Sequence, residues 1–345
     1  MFFRNLSTRS IIGFFCLLLA IISISSITVG PMKISAFDSI NSLLLNGNNV
    51  APHIDIVIHQ IRLPRTLLCM LIGAILAICG TVTQGLFRNP LAEPGIIGVS
   101  AGAMLGAGFA IVTFTNLNLV SAQVTSLIAL PMFAFMGGAL TTWVVYIIGT
   151  SRFGTSVSIM LLAGIAITML AQAGINSLSF FADDQQLRDI SLWSMGSLAA
   201  ADWPSIGLCT ITLIILLWYF LNNAESLNAL LLGEAEASHL GIPVQKLKRY
   251  LILMTAFGVG VSVSISGVIG FIGLVIPHLG RMMFGPDHRR LLPISTFLGA
   301  LLLTLADMLS RIVVAPAELP VGIITALMGA PFFIYLLYKQ KGRMT

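Results

Sequence analysis

The chain has 345 residues, of which 57% are hydrophobic and only 9% are charged. Soluble domains carry about 25% charged residues, so this composition excludes an ordinary soluble protein and predicts an all-α integral membrane protein. The formal net charge of +5 does not require nucleic acid as a partner, because basic residues gathered on one side of a membrane account for it.

Nine apolar runs follow one another along the chain, roughly at 11–30, 66–87, 95–114, 126–149, 155–181, 204–221, 250–286, 293–313 and 317–338. The seventh run has 37 residues, whereas one membrane-spanning helix needs about 20. A break at Ser266-Gly267 divides this run, which gives about ten transmembrane helices. The first run follows Arg4 and Arg9 and has no convincing small-x-small cleavage site. We therefore interpret it as a retained span, with a signal peptide as the alternative.

Basic residues are distributed unevenly between the two sides that ten spans define. An even number of spans places both termini on one side. With that side cytoplasmic, 13 of the 18 Lys and Arg residues lie inside, which is the positive-inside signature. The sequence therefore predicts a multi-pass protein with both termini in the cytoplasm. It also places the polar segment at residues 225–249 on the cytoplasmic face.

That segment interrupts two apolar runs and is too polar to lie in lipid. Four leucines are expected on one side of a first short helix: Leu227, Leu230, Leu231 and Leu232. Three polar residues fall on a second short helix: Glu234, Glu236 and His239. Gly233 divides the two helices, and Gly241 followed by Pro243 ends the second, because Gly accepts a left-handed cap and Pro cannot continue a helix. Two short helices on an aqueous face predict a surface for a partner.

Enzymatic motifs are absent from the sequence. None of the five lysines follows a glycine, so the chain has no G-x-x-x-x-G-K-[ST] loop for a nucleotide. The five histidines show no short spacing to cysteine or to one another, so no metal or other cofactor is expected. No G-x-S-x-G elbow or H-E-x-x-H helix occurs. We therefore predict that the chain is not an enzyme.

Asp307 is the only acidic residue well inside an apolar run. It lies four residues before Arg311, so the two side chains share a helix face, and a local ion pair near the outer face is favoured over a proton relay. With so few buried titratable groups, the chain lacks an internal energy source for uphill transport. An external source must drive it, or it is a passive pore.

Seven motifs occur in order along the chain: RLPR (62–65), LFRNPLAEPG (86–95), GEAEASHLGIP (233–243), GFIGLVIPH (270–278), PDHRRLLP (286–293), AELPVG (317–322) and GAPFF (329–333). Together they closely resemble the FecCD family of permeases, the membrane subunits of binding-protein-dependent ABC importers for ferric siderophores, haem and vitamin B12. The resemblance covers nearly the whole chain from about Arg62 onward. Within the family, QGLFRNPLAEPG, GEAEASHLGIP and PDHRRLLP are most similar to the haem (hemin) permeases.

The resemblance implies a type II ABC importer permease architecture. Residues 1–345 would form a single transmembrane domain that dimerises with a second copy around one central path, in the bacterial inner membrane. It also implies two cytoplasmic P-loop ATPase subunits, which hold ATP and Mg²⁺, and a periplasmic or lipid-anchored substrate-binding protein. The implied cargo is haem, with a ferric siderophore or cobalamin as the alternative. An ion-coupled secondary carrier that uses Asp307 is the alternative from another class.

In this family, the position of residues 225–242 holds cytoplasmic coupling helices that dock into a groove of the ATPase. The implied contact residues are Gly233, Glu234, Glu236, His239, Leu240 and Gly241. Leu230 and Leu231 are expected to pin the first helix against the permease. Glu234 lies in the first turn of the second helix, so capping of the positive dipole end is an equal alternative for it. For the segment as a whole, the alternative is an ordinary ordered loop.

At the outer face, the resemblance implies that Arg62, Arg65 and Arg311 pair with acidic residues of the binding protein. Arg–carboxylate pairs are directional, which suits docking in a fixed orientation. Anchoring at the membrane edge is the alternative for Arg62 and Arg65. Pairing with Asp307 is the alternative for Arg311.

The fifth span is implied to line the cargo path. Thr168, Gln172 and Asn176 are its candidate path residues, and hydrogen bonding between helices is the alternative for them. Arg188 follows this span in a short outer helix and is a possible contact for the haem propionates. The turn from Arg88 to Pro94 is either structural or a contact for the ATPase, since its two prolines forbid a continuous helix.

Overall fold

The computed structural model describes residues 8–30, 32, 34–44, 51–117, 128–152 and 154–341. Three basic residues that contribute to the predicted charge bias, Arg4, Lys33 and Arg343, lie outside these ranges. The described helices are α1 (Thr8–Thr28), α2 (Ala36–Leu44), α3 (Pro52–Ile56), α4 (Leu63–Leu86), α5 (Val99–Leu117), α6 (Leu130–Gly149), α7 (Val157–Phe181), α8 (Asp184–Ser194), α9 (Trp203–Asn222), α10 (Ala224–Leu232), α11 (Glu234–His239), α12 (Val244–Ser266), α13 (Ile272–Phe284), α14 (His288–Ile312) and α15 (Val321–Lys341), with a π-helical turn Val57–Arg62 between α3 and α4 and a 3-10 turn Pro94–Ile97 before α5.

A small hairpin joins α6 to α7. Strand β1 (Thr150–Ser151) pairs antiparallel with β2 (Gly154–Thr155), and Thr150 lies opposite Thr155. Within the described ranges this is the only β-structure, and the sequence did not predict it. The rest of the fold is helical, as predicted.

Ten apolar helices coincide with the ten predicted spans. Among the described residues, seven helices are long and apolar enough to cross a membrane, and three shorter apolar helices cover Val99–Phe114, Ile272–Phe284 and Val321–Tyr335. The predicted break in the long seventh run is confirmed, because α12 ends at Ser266. Gly267 follows with φ +69°, and a Cβ on it would lie 2.2 Å from the carbonyl oxygen of Trp193. Only glycine fits this turn.

Helix α4 lies at the centre of the fold. Of the apolar stretch within Pro52–Leu86, 83% is buried, against 28% for α7 and for α9. Small residues allow this packing, since a Cβ on Gly73 would lie 2.3 Å from the carbonyl oxygen of Gly299 on α14. Lipid tails are as apolar as the side chains, so burial of apolar side chains between helices contributes little to helix association in a membrane. Close packing of backbones is a main source of that association instead. The outward apolar faces of α7 and α9 are typical of helices that meet lipid or another membrane protein.

Substitution of Gly80 by Ala is expected to destabilise the protein by about 1–3 kcal/mol or more, because overpacking a tight contact forces backbones apart. A Cβ on Gly80 would lie 2.0 Å from the carbonyl oxygen of Gly273 on α13. The matched control is Gly13→Ala, since nothing lies within 4 Å of a Cβ at Gly13. Thermal unfolding of both variants in detergent tests this. Equal Tm values for the two variants would show that the α4–α13 contact is not this close.

Candidate functional site

Residues 225–241 fold into the two predicted short helices, α10 and α11. Gly233 forms the corner between them with φ +126° and ψ 157°, a backbone conformation almost restricted to glycine. At the end of α11, Gly241 has φ +82°. The Gly241 N–H donates to the Ser238 carbonyl (2.9 Å), and the Ile242 N–H donates to the Ala237 carbonyl (3.1 Å). This pair of bonds is a Schellman motif, so the predicted glycine stop is confirmed.

The four leucines of α10 divide into two pairs. Leu227 and Leu230 are 0% and 3% exposed, whereas Leu231 and Leu232 are 39% and 68% exposed. The prediction of a single leucine cluster is therefore wrong, and so is the prediction that Leu231 pins the helix. The reason is that Leu227 and Leu230 complete the stripe that faces the core, while Leu231 lies at its edge. Five exposed side chains form what we call the α10/α11 patch: Leu231, Leu232, Glu236, His239 and Leu240.

Glu234 is held by an internal ion pair. Its Oε1 atom lies 2.8 Å from Nζ of Lys248 on α12. Glu234 lies in the first turn of α11, as predicted, and the beginning of that helix has no side-chain cap hydrogen bond. Stabilisation of the positive dipole end by this carboxylate stays a prediction. Its side chain is 39% exposed and that of Lys248 is 2% exposed, so a buried cation fixes this carboxylate.

A polar cluster joins α10 to the beginning of α14. Asn228 Nδ2 donates to Asp287 Oδ1 (2.6 Å), and Asn228 Oδ1 accepts from the backbone N–H of His288 (2.9 Å). Nδ1 of His288 lies 2.8 Å from the same Asn228 oxygen, so this nitrogen carries the proton. Desolvation raises the pKa of the Asp287 carboxyl, but hydrogen bonds from Arg289 and Asn228 outweigh it and hold the pKa below its ordinary value. Movement of α10 is thereby tied to α14.

The segment between α4 and α5 is a structural turn. Asn89 Oδ1 accepts from the backbone N–H of Leu91 (2.9 Å), and Glu93 Oε1 accepts from the N–H of Phe271 (3.1 Å). Burial raises the pKa of the Glu93 carboxyl, and the Phe271 N–H opposes this rise. Arg88 is exposed, and its Nη1 atom would lie 3.7 Å from a Cβ on Gly233. The structural role holds for the turn, and contact between Arg88 and an ATPase stays a prediction.

Arg62, Arg65 and Arg311 are 4%, 6% and 2% exposed, so all three side chains are buried in the folded chain. Arg65 binds Asp307 (Nη2–Oδ1, 2.9 Å) and Glu318 (Nη1–Oε2, 2.6 Å). Arg311 pairs with the other oxygen of Asp307, which confirms the predicted local ion pair. Asp307 is 0% exposed, and its two carboxylate oxygens are bound by two different arginines, which is the arrangement of a structural ion cluster.

Backbone carbonyls near the end of α1 complete this arginine cluster. Arg62 donates to the carbonyls of Ile27 (2.7 Å) and Thr28 (2.9 Å), and Arg311 donates to that of Ser26 (3.1 Å). Anchoring at the membrane edge is therefore wrong for Arg62, because the side chain is covered by protein. Docking of a binding protein at these arginines stays a prediction, and it would require these contacts to open.

The candidate path residues lie on an uncovered face of α7. Thr168, Gln172 and Asn176 are all exposed, and Gln172 Nε2 donates to Asn176 Oδ1 (3.0 Å). Their described hydrogen bond lies within one helix, so it does not support the alternative of bonding between helices. Arg188 is exposed on α8, the predicted short outer helix, which Asp183 and Gln186 begin with a capping box.

Sequence reasoning missed the burial of Lys248, which it counted as an ordinary cytoplasmic cation. A signal for it was present in the helix pattern. The buried positions in the first half of α12 recur at helical spacing: Val244, Leu247, Lys248, Leu251, Ile252 and Thr255. Residues three, four and seven apart share a face, so Lys248 lies inside the apolar stripe.

Comparisons with known proteins identify relatives of the chain over nearly its whole length. The FecCD transport family model matches residues 17–339. The hemin transport system permease protein HmuU of Yersinia pestis is 42% identical over 334 residues, which cover 96% of each chain. The vitamin B12 import system permease protein BtuC of Klebsiella pneumoniae is 41% identical over 286 residues, which cover 83% of each chain.

A solved structure shares the fold over almost the same extent. It is an inward-facing conformation of a metal-chelate type ABC transporter, with a TM-score of 0.83 and 33% identity, and it covers 96% of this chain and 99% of that chain. Family model, sequence relatives and fold agree over nearly the whole length. The chain therefore belongs to the FecCD transport family and is a permease subunit of an ABC importer.

Proposed function

We propose that this permease moves haem across the bacterial inner membrane as a homodimer, with ATP hydrolysed by two separate cytoplasmic subunits. The observation that carries the cargo assignment is the 42% identity to a hemin permease over 96% of both chains. A vitamin B12 permease at 41% identity covers less of the chain, and cobalamin or a ferric siderophore is the alternative cargo.

Residues 225–242 are the proposed ATPase-coupling segment. Exposed Leu232 and Leu240, at 68% and 64% exposure, stand beside exposed Glu236 and His239 on two helices that the core holds firmly. An apolar patch with a polar rim on a rigid support is typical of a protein–protein contact. Gly233 and Gly241 set the backbone shape of this surface. The ion pair of Glu234 with buried Lys248 holds α11 against α12.

The proposed cargo path runs along α7. Thr168, Gln172 and Asn176 offer weakly polar groups on an otherwise apolar exposed face, which includes Leu162 and Met169 at 69% exposure each. A bulky, largely apolar cargo passes such a wall without being held tightly, as transport requires. A second copy of the chain facing α7 would close the path. Arg188 is the proposed contact for a haem carboxylate at the outer mouth.

The cargo is tested with the complex of this chain, its ATPase subunits and its substrate-binding protein, reconstituted in liposomes. Binding protein loaded with haem is expected to stimulate ATP hydrolysis and to deliver haem into the vesicles. Unloaded binding protein is the control. Stimulation by ferric siderophore or cobalamin and not by haem would reject the haem assignment. Uptake driven by a proton gradient without ATPase subunits would reject the coupling mechanism itself.

A further inference from the structure

Lys248 places an ammonium group where almost no water reaches it. The residue is 1% exposed and lies in the second turn of α12. Its Nζ atom donates to Glu234 Oε1 on α11 (2.8 Å) and to the backbone carbonyl of Thr155 on β2. A buried cation is stable only while such partners remain in place. The side chain therefore binds α11 and the β-hairpin to α12.

Gln245, three residues earlier on the same face of α12, repeats this connection. Its Oε1 atom accepts from the backbone N–H of Thr155 (2.9 Å), and its Nε2 atom lies 3.5 Å from Glu234 Oε2. Both backbone polar groups of Thr155 are thus bound by α12. A Cβ on Gly154 would lie 2.6 Å from the Gln245 amide, so the hairpin fits closely against this side chain.

Thr155 leads directly into α7. The next residue, Ser156, is the N-cap of α7 and accepts from the backbone N–H of Ile159. The Ser156 N–H also donates to the Gly149 carbonyl at the end of α6 (2.8 Å). Lys248, Thr155 and the N-cap residue Ser156 therefore connect the carboxylate of Glu234 to the helix that carries the candidate path residues.

We propose that Lys248 and Gln245 form a clamp that transmits movement of α11 to the beginning of α7. This inference rests on the proposed role of residues 225–242 as the ATPase contact. A displacement of α11 draws Glu234 with it. Because the ammonium group cannot be left unpaired at low cost, Lys248 and the hairpin follow. The lysine is a positioning residue that acts through Glu234 and Thr155, and it does not touch ATPase or cargo.

The test substitutes Lys248 by Met in the full complex with ATPase and binding-protein subunits. Co-purification of the ATPase and its basal hydrolysis are expected to persist, because the buried side chain offers the ATPase no surface. Haem uptake per ATP hydrolysed, and the stimulation of ATPase by loaded binding protein, are expected to fall about 5- to 100-fold, since the coupling free energy between two sites is typically of this size. A solely structural role would lower the amount of complex and leave uptake per ATP unchanged.

Lys246→Met is the matched control, since Lys246 is exposed on the same helix, and it is expected to behave as wild type. Gln245→Ala serves as the second variant if Lys248→Met does not assemble, because it removes two contacts of the clamp without leaving a charge unpaired. Wild-type uptake per ATP in Lys248→Met, or in Gln245→Ala where only that variant assembles, would overturn the clamp while leaving the proposed function intact. Absence of ATP-dependent uptake by the wild-type complex with haem, ferric siderophore or cobalamin would overturn the proposed function, and the clamp with it.

Discussion

Asp307→Asn is expected to lower the yield of folded protein severely. Asp307 is 0% exposed and is the shared acid of Arg65 and Arg311. Removing one partner from a buried ion cluster typically costs about 3–5 kcal/mol, because the remaining charges are left uncompensated. Arg65 keeps Glu318, whereas among the described residues Arg311 keeps only the neutral oxygens of Ser26. The measurement is the yield of monodisperse protein in detergent together with its Tm.

Asp189→Asn is the matched control, because Asp189 is an exposed acid on α8 and exposed substitutions usually change stability by less than about 0.5 kcal/mol. The double variant Asp307→Asn/Arg311→Met is expected to recover part of the lost stability, since it removes the unpaired cation as well. If Asp307→Asn unfolds at the same temperature as Asp189→Asn, the cluster does not carry the stability assigned to it.

This cluster contains one contact that sequence spacing predicts and two that it does not. The pair of Asp307 with Arg311 could be predicted, because four residues within a helix bring two side chains onto one face. The partnership of Arg65 with Asp307 spans 242 residues, and that with Glu318 spans 253. No local pattern encodes such a contact, since it depends on how α4, α14 and the segment before α15 pack. The resemblance gave these arginines an outward role, and the folded chain covers them.

The helices themselves were largely predictable from hydropathy, because lipid requires every backbone group of a spanning segment to be paired within the helix. The ends of α10 and α11 were predictable for a different reason, since Gly233 and Gly241 adopt conformations that other residues avoid. The division of the four leucines into a buried and an exposed pair was not predictable. Helix α10 is too short for its apolar pattern to show which leucines at the edge of the apolar face are buried. The hairpin of two-residue strands carries no period at all.

Composition and residue spacing predicted the polar segment of the candidate site and its two short helices. The count of basic residues predicted the side of the membrane on which this segment lies. The buried Lys248 could have been predicted from the stripe of α12, had a charged residue within it been treated as a member of the core. Its partners Glu234 and Thr155 lie 14 and 93 residues away and required the structure. The contact between the α10/α11 patch and an ATPase lies outside a single chain, so it can only be proposed.

Gly233→Ala is expected to uncouple ATP hydrolysis from transport while the protein still folds. With φ +126° and ψ 157°, residue 233 occupies a region in which a residue other than glycine is strained by about 1–3 kcal/mol. Space is not limiting, because the nearest atom to a Cβ there is Arg88 Nη1 at 3.7 Å. The chain is therefore expected to relieve the strain by changing the angle between α10 and α11. That change displaces Glu236 relative to Leu232 on the surface proposed to meet the ATPase.

The measurement is haem uptake per ATP hydrolysed by the reconstituted complex, with binding of loaded substrate-binding protein measured separately. Uptake per ATP is expected to fall about 5- to 100-fold, the usual size of coupling between sites. Docking of the binding protein is expected to stay close to wild type, since Arg62 and Arg65 lie at the opposite end of α4 from the turn that faces Gly233. The control is Gly207→Ala on α9, where nothing lies within 4 Å of a Cβ. Unchanged uptake per ATP in Gly233→Ala would mean that the corner between α10 and α11 does not shape the ATPase contact.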